Sequence, residues 1–504
     1  MDPQLDARIV KLPQELIDRI VDFLPTVDLG SLRRTSKLME HHLLTYFSKH
    51  YFTKKQFMVS EPSLRALVDI SEHPSLSPCL KHLIIGLDCY MAIPFGVAEP
   101  YYVQCKRGAE SQRRMFSTGR ATRLLAKALS NLKNLQTIDI RDFDSQTRFR
   151  DRKTGSGAWR SWGAPTIDAH GRRLTMIDSE SSQVPDNHFH NRVFQAVLAA
   201  MADSSGRPQT LAAILRHRNR GLADGAFGLD GWMEESIAPA LAGLKTLHLD
   251  VSLDERPRVF NMVTAPNDGL QDIADSPNTC IRHFLSCTPN VTWLRLNFQS
   301  THIASSFKLI NWLATVPGTD PAPKILPWCE PSAVSGPFAV PPWGDENPAP
   351  VALPLTQLDL GLTHISSSVL RSLFQKFTNL NGLSLFNITL HPTTIIRPAR
   401  RTNLWADTFQ ALSDDLPAQL KSLKLRRLIQ VDTERGNNNH FREVGIDGKT
   451  ESKIEVSKKG LQQLAEVLTV DWPSVKPTDD YSDGGDDEED EGEDEENSED
   501  DDDV

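Results

Sequence analysis

Residues 355–385, LTQLDLGLTHISSSVLRSLFQKFTNLNGLSL, hold one spacing twice, with apolar residues at positions 1, 4 and 6: Leu355/Leu358/Leu360 and then Leu380/Leu383/Leu385. The last two residues of each set alternate as a short strand does, and the first closes the turn into it. Between the sets, Ser368–Phe377 carries apolar residues three and four apart, so the unit reads as a helix followed by a strand. Five more copies follow the same rule: Leu80/Leu83/Ile85, Leu135/Ile138/Ile140, Leu244/Leu247/Leu249, Val291/Leu294/Leu296 and Leu420/Leu423/Leu425. Helical spacing precedes each of them over Leu64–Ser71, Ala121–Leu132, Met233–Leu241, Ile281–Ser286 and Trp405–Leu416. Arg192–Met201 followed by Leu211 and Ile214 reads as an eighth, weaker unit.

This alternation resembles the leucine-rich-repeat solenoid, in which each repeat buries its apolar face against its neighbours. The motif starts lie 55, 109, 47, 64, 25 and 40 residues apart, and no Asn ladder follows the spacing, so the resemblance implies an irregular array with large insertions. A globular α/β domain with a parallel sheet satisfies the same pattern, since it too joins buried strands by crossover helices. The fold class expected is α/β: a short helical module at residues 10–52, a divergent leucine-rich-repeat-like region at 53–470, and an acidic disordered tail at 471–504. Loops are expected at 87–120, 141–190, 317–354 and 428–455.

The insertions differ in chemistry. Residues 141–173 contain eight Lys or Arg against four Asp, among them Arg148, Arg150, Arg152 and Arg160, with Trp159 and Trp162 beside them. Guanidinium forks and indole rings make these six residues the candidates for holding an acidic or phosphorylated target, the alternative being a solvated loop. Residues 317–354 hold 11 of the 32 Pro, which suits a surface loop or linker. The tyrosines of 87–120, Tyr90, Tyr101 and Tyr102, read as local packing of a long loop.

Composition narrows the class. The net charge of -11 hides an asymmetry: residues 479–504 hold 18 Asp or Glu and no Lys or Arg, leaving 55 basic against 48 acidic residues, a balance of +7, in the rest. A run so charged has almost no apolar residue to bury and is expected to stay solvated. The six Cys are spread thinly without a CxxC pair, which suits a reducing compartment and yields no expected metal or disulfide framework. His188 and His190 close no ligand set locally. The amino terminus lacks an apolar stretch of signal-peptide type, and Pro331–Gly344 is too short and proline-rich to span a bilayer. The expected location is intracellular and soluble, in nucleus or cytoplasm, with no membrane partner.

The amino-terminal stretch Leu12–Phe52, LPQELIDRIVDFLPTVDLGSLRRTSKLMEHHLLTYFSKHYF, carries three short helical patterns. Leu16, Ile20 and Leu24 with Ile17 and Val21 form one broad apolar face, and Pro25 stops the helix. Asp28 is placed to cap a second helix with Leu29 and Leu32 inward and Arg33 and Arg34 outward. Met39, Leu43 and Phe47 repeat along a third. Helices this short gain from docking against the rest of the chain or a separate partner.

LPxEL, Ile20, Phe23-Leu24-Pro25, Asp28-Leu29 and Leu32 resemble the F-box, as found in the large and divergent F-box family of filamentous fungi. The resemblance implies a helical docking surface for the Skp-type adaptor of a cullin-RING ubiquitin ligase. It implies too that Leu12, Pro13, Leu16, Ile20, Leu24, Leu29 and Leu32 contact the adaptor or build the fold that presents it. No Walker loop, nucleophile elbow, zinc-protease helix, dinucleotide fingerprint or kinase signature occurs, so no catalytic residue and no cofactor are expected. The function expected is a non-catalytic substrate receptor presenting an unknown target protein to a cullin and RING assembly. The alternative is an adaptor-binding interaction protein that assembles no ligase. Nucleic acid is not an expected partner, because the basic balance is modest and no reading helix accompanies it.

Overall fold

The computed structural model describes residues 8–90, 99–144, 160–164, 189–216, 221–229, 231–253, 278–299, 303–316, 350–392, 402–413, 417, 419–432, 440–446, 451–455 and 458–472. The expected tail from 473 onward and most of the loops at 141–190 and 317–354 lie outside the described residues. Two apolar cores are separate. The smaller belongs to α1 (Gln14–Asp22), α2 (Thr26–Arg33) and α3 (Lys37–Tyr51).

The larger core lies under one sheet. Its parallel strands are β1 (Lys54–Met58), β2 (His82–Gly86), β3 (Thr137–Arg141), β4 (Thr210–Ile214), β5 (Thr246–Val251), β6 (Trp293–Phe298), β7 (Gln357–Ser366), β8 (Gly382–His391) and β9 (Ser422–Asp432). Each strand pairs with the next one in the chain. A doubly wound sheet reverses its strand order at a switch point, and none occurs among the described strands, so the arrangement is that of a strand–helix solenoid.

Helices return the chain along one face: α4 (Glu61–Glu72), α5 (Glu99–Ser117), α6 (Arg120–Asn131), α7 (Phe189–Ala202), α8 (Gly231–Ala242), α9 (Thr279–Ser286), α10 (Ile303–Ala314), α11 (Ser367–Lys376) and α12 (Leu404–Leu412). The motif supplies the seam. Its second and third residues, such as Leu247/Leu249, Leu294/Leu296 and Leu358/Leu360, point to the helices and are fully or almost fully buried in one continuous core. Its first residue, such as Leu80, Leu244 or Val291, is buried just before the strand. The eighth unit is present as α7 and β4.

Two expected loops hold regular structure. Residues 87–120 contain α5, whose buried side is Gln112 and Met115, with Gly108 against the Tyr90 ring and Arg107, Arg113 and Arg114 outward. With so few strongly apolar residues on that side, the helical period is faint in the sequence. Residues 428–455 contain the end of β9, then β10 (His440–Ile446) and β11 (Glu451–Glu455), followed by α13 (Lys458–Val467) and β12 (Leu468–Val470). β10 and β11 run antiparallel to β9, and β12 antiparallel to β10. This antiparallel cap covers the edge that a parallel array leaves unpaired. β1 and α10 are further elements that the spacing rule does not mark.

β7, β8 and β9 each carry one extra residue in the left-handed region: Leu362 (φ 57°), Asn387 (φ 54°) and Arg427 (φ 53°). The strand registers place the three side by side. The extra residue shifts the parity of every position after it, as a bulge does. Leu383 and Leu385 therefore share the core with Ile388 and Leu390, and Leu423 and Leu425 share it with Leu428. A left-handed conformation costs a non-glycine residue roughly 1–2 kcal/mol, which burial of the side chains beyond it offsets.

Beyond this row, on the face away from the helices, His364 Nδ1 lies 2.7 Å from His391 Nε2, with the Phe441 ring 6.2 Å from His364. Burial pushes His364 down to about 4, and burial together with His364 pushes His391 down to about 3. Both are neutral in the fold at pH 7, whereas in the unfolded chain they titrate near 6.5. Their contribution is therefore complete above pH 6.5 and is lost as pH falls towards 4 and then 3, because the unfolded chain takes up the protons first. Unfolding free energies from urea titrations between pH 7 and 4.5 should fall by up to about 1.4 kcal/mol per pH unit for each His. The His364→Gln/His391→Gln protein should show a visibly flatter profile.

Candidate interaction surfaces

The small helical module is built from inside by Ile17, Val21, Leu29, Met39, Leu43, Tyr46 and Tyr51, with Leu12, Leu24, Leu32, Phe47 and Phe52 half-buried around them. Ser36 caps α3 by accepting from the Met39 amide at 3.1 Å. The Gln14 amide donates to the His42 carbonyl at 2.9 Å, tying α1 to α3, and the Tyr46 hydroxyl donates to Asp22 at 2.5 Å. Arg33 does not look outward as expected. Its guanidinium stacks 3.6 Å over the Phe47 ring and lies 3.4 Å from Glu40, and burial pushes it below its ordinary value. Asp28 does not cap α2 either, because the helix begins two residues earlier, at Thr26, leaving Asp28 in the first turn.

With its core complete, the module leaves large apolar side chains in water. Leu16 is 45% exposed, Ile20 39%, Phe23 88%, Val27 72% and Leu38 53%. These are five of the twelve large apolar side chains exposed among the described residues, concentrated within residues 16–38. Leu16 and Ile20 stand one turn apart on α1, and Phe23 follows at its end. Of the seven residues expected here, Pro13, Leu16 and Ile20 are presented to solvent. Leu12, Leu24 and Leu32 are half-buried on the small core, and Leu29 lies wholly inside it. Phe23, Val27 and Leu38 are presented residues that stand outside the seven expected to contact the adaptor.

A second surface is the sheet face opposite the helices. Strand register aligns Gln56, Ile84, Asp139, Ala212, His248, Arg295, Asp359, Ser384 and Lys424 in one row across nine strands. Asp139 pairs with Arg141 and lies 3.3 Å from His82. The Trp293 indole donates to Asp359 at 2.8 Å and meets the His248 ring edge-on at 4.8 Å. Asp250 accepts from the Leu215 amide at 2.8 Å and from Asn297 at 2.7 Å, while burial raises its carboxyl above the usual range. At the far end Arg426 lies 5.2 Å over the Phe386 ring. The face is polar, of mixed charge, and carries aromatic rings.

Of the six expected target-binding residues, Arg148, Arg150, Arg152 and Trp159 lie outside the described residues. Residues 160–164 dock on the outer edge of β1. The Trp162 amide donates to the Gln56 carbonyl at 2.8 Å, and its carbonyl accepts from Met58 at 3.3 Å and from the Ser63 hydroxyl at 2.7 Å. The Trp162 ring is left 55% exposed, and Arg160 lies 4.0 Å from Asp144. Basic chemistry of the expected kind also occurs elsewhere. A cleft of about 800 Å³ between α5, α6 and α7 is lined by Arg113, Arg114, Arg192, Phe116, Thr122 and Glu110.

Glu234, in the first turn of α8, reaches His283 and Cys287 near the end of α9. Glu234 Oε1 to His283 Nε2 is 3.3 Å, and His283 Nε2 to Cys287 Sγ is 3.9 Å. The sequence signal for this trio was the four-residue spacing of His283 and Cys287 on a helix, which a search for paired cysteines passes over.

Residues 9–45 match the F-box domain. No curated protein sequence matches the chain. Among solved structures, the leucine-rich repeat-containing protein LegL7 from Legionella pneumophila aligns at 12% identity over 76% of this chain and 92% of its own, with a TM-score of 0.23. At that score the solenoid assignment rests on the strand order alone. No helix among the described residues is long and apolar enough to cross a membrane.

Proposed function

We propose, from the F-box match at residues 9–45, that the chain is a non-catalytic substrate receptor of a cullin-RING ubiquitin ligase. The observation that carries this reading is the concentration of exposed apolar side chains, Leu16, Ile20, Phe23, Val27 and Leu38, on a module that already has its own closed core. Apolar surface of this kind is retained where a partner covers it. That partner is a Skp-type adaptor, which brings cullin and RING subunits with it. Leu12, Leu24, Leu29 and Leu32 serve by shaping the module.

The solenoid holds the target. Catalysis then consists of positioning, raising the effective concentration of a target lysine near a ubiquitin-charged conjugating enzyme. The polar open face of the sheet, with Trp293 and Phe386, offers the mixed chemistry of a protein-binding surface, and the arginine-lined cleft and the segment holding Arg148, Arg150, Arg152, Trp159, Arg160 and Trp162 suit an acidic or phosphorylated target. The work is intracellular.

The test is gentle recovery of the tagged chain with its partners. Adaptor together with cullin supports the receptor, adaptor without cullin moves the chain to the non-ligase alternative, and no adaptor overturns both. Deletion of residues 479–504, with 18 acidic residues and no basic one, should leave adaptor recovery and the thermal unfolding midpoint unchanged. A midpoint lowered by several degrees would show that the tail packs on the body.

A further inference from the structure

We infer that Glu234, His283 and Cys287 form a binding site for a zinc-class divalent cation, joining helices α8 and α9 on the helical side of the solenoid. The three candidate donor atoms lie within 4.8 Å of one another. Bonds of about 2.0–2.1 Å to nitrogen and oxygen and about 2.3 Å to sulfur set tetrahedral edges of about 3.3–3.6 Å. The Glu234–His283 separation of 3.3 Å already equals such an edge, and the His283–Cys287 separation of 3.9 Å is slightly longer. Rotation of the long Glu234 side chain, 46% exposed, brings its carboxylate to the remaining corner. His283 and Cys287 stand one helical turn apart, so one helix face presents both at fixed spacing.

The donor set decides the metal. A thiolate with an imidazole favours zinc and its borderline relatives, whereas calcium and magnesium take oxygen ligands. Three protein donors leave a fourth tetrahedral position, which water fills. Binding links neighbouring repeats, because Glu234 belongs to the helix before β5 and the other two ligands to the helix before β6. The inference stands apart from the receptor function.

The experiment uses the full chain, reduced, stripped with a chelator that is then removed, and titrated with Co²⁺ alone. The expected result is one equivalent bound, with a thiolate-to-metal charge-transfer band and the visible bands of tetrahedral cobalt, both abolished by adding Zn²⁺. Cys287→Ser should lose the charge-transfer band, His283→Gln and Glu234→Gln should weaken binding, and Cys280→Ser should behave as wild type. All three ligands are partly exposed, and circular dichroism checks that each variant remains folded. A wild-type protein without the band, or a band that survives Cys287→Ser, overturns the site and leaves an ion pair beside a bystander thiol. If Cys287→Ser does not fold, band intensity in His283→Gln decides: an undiminished band overturns the site, a lost one supports it.

Discussion

Replacing Leu16 and Ile20 by Asp together should abolish recovery of the adaptor while leaving the helical module and the solenoid folded. Both side chains are substantially exposed in the free chain and neither belongs to the small core, so folding buries no new charge. Docking would bury them. Two carboxylates would then leave water for an apolar contact without partners, in place of two side chains whose full burial is worth about 1.5–3 kcal/mol each. The combined penalty corresponds to a loss of at least about a hundredfold in affinity, beyond what a pull-down retains. Recovery by affinity capture, with circular dichroism and thermal unfolding of the same samples, reads both halves. Equal adaptor recovery by wild type and the folded double variant would remove α1 from the interface.

Trp405→Ala should produce the largest stability loss of any single change in the C-terminal repeats. Trp405 is fully buried, stacks on Phe409 at 5.5 Å between centroids, and donates its indole N–H to the Ile429 carbonyl at 2.8 Å. Truncation removes the largest side chain of that part of the core, leaves a cavity, and takes the donor from a carbonyl on β9. A loss of about 3–5 kcal/mol is expected. Urea unfolding should show a lowered midpoint with little change in slope. Adaptor recovery under native conditions should persist, because the helical module has a separate core. A loss below about 1 kcal/mol would show that the repeat end collapses around the gap.

What the sequence made legible follows from how strongly each element depends on apolar periodicity. Leu358/Leu360 and Leu383/Leu385 face the helices at strict period two, and their strands lie where the spacing puts them. α12 announces itself through Trp405, Phe409 and Leu412. α5 does not, since its buried side rests on Gln112 and Met115. β10 and β11 read as loop because HFREVGI and ESKIE are mostly polar, and their pairing with β9 is made by the backbone. In the helical module, Leu16, Ile17, Ile20 and Val21 look like one stripe from spacing alone. Only the fold separates Ile17 and Val21, which close the core, from Leu16 and Ile20, which do not. Glu234 lies 49 positions before His283, beyond any local motif.

The aligned left-handed residues Leu362, Asn387 and Arg427 couple three chain segments in length. Removing one residue from β8 alone would turn Ile388 and Leu390 outward while β7 and β9 kept theirs inward. A tolerated deletion would therefore have to occur in all three strands at the same height. The shorter units at β2 to β5 carry no such residue, so one of them transplanted between β7 and β9 would break the seam on both sides. For recombination or repeat duplication, β7, β8 and β9 form one indivisible cassette, and the natural splice point lies upstream, between β6 and β7.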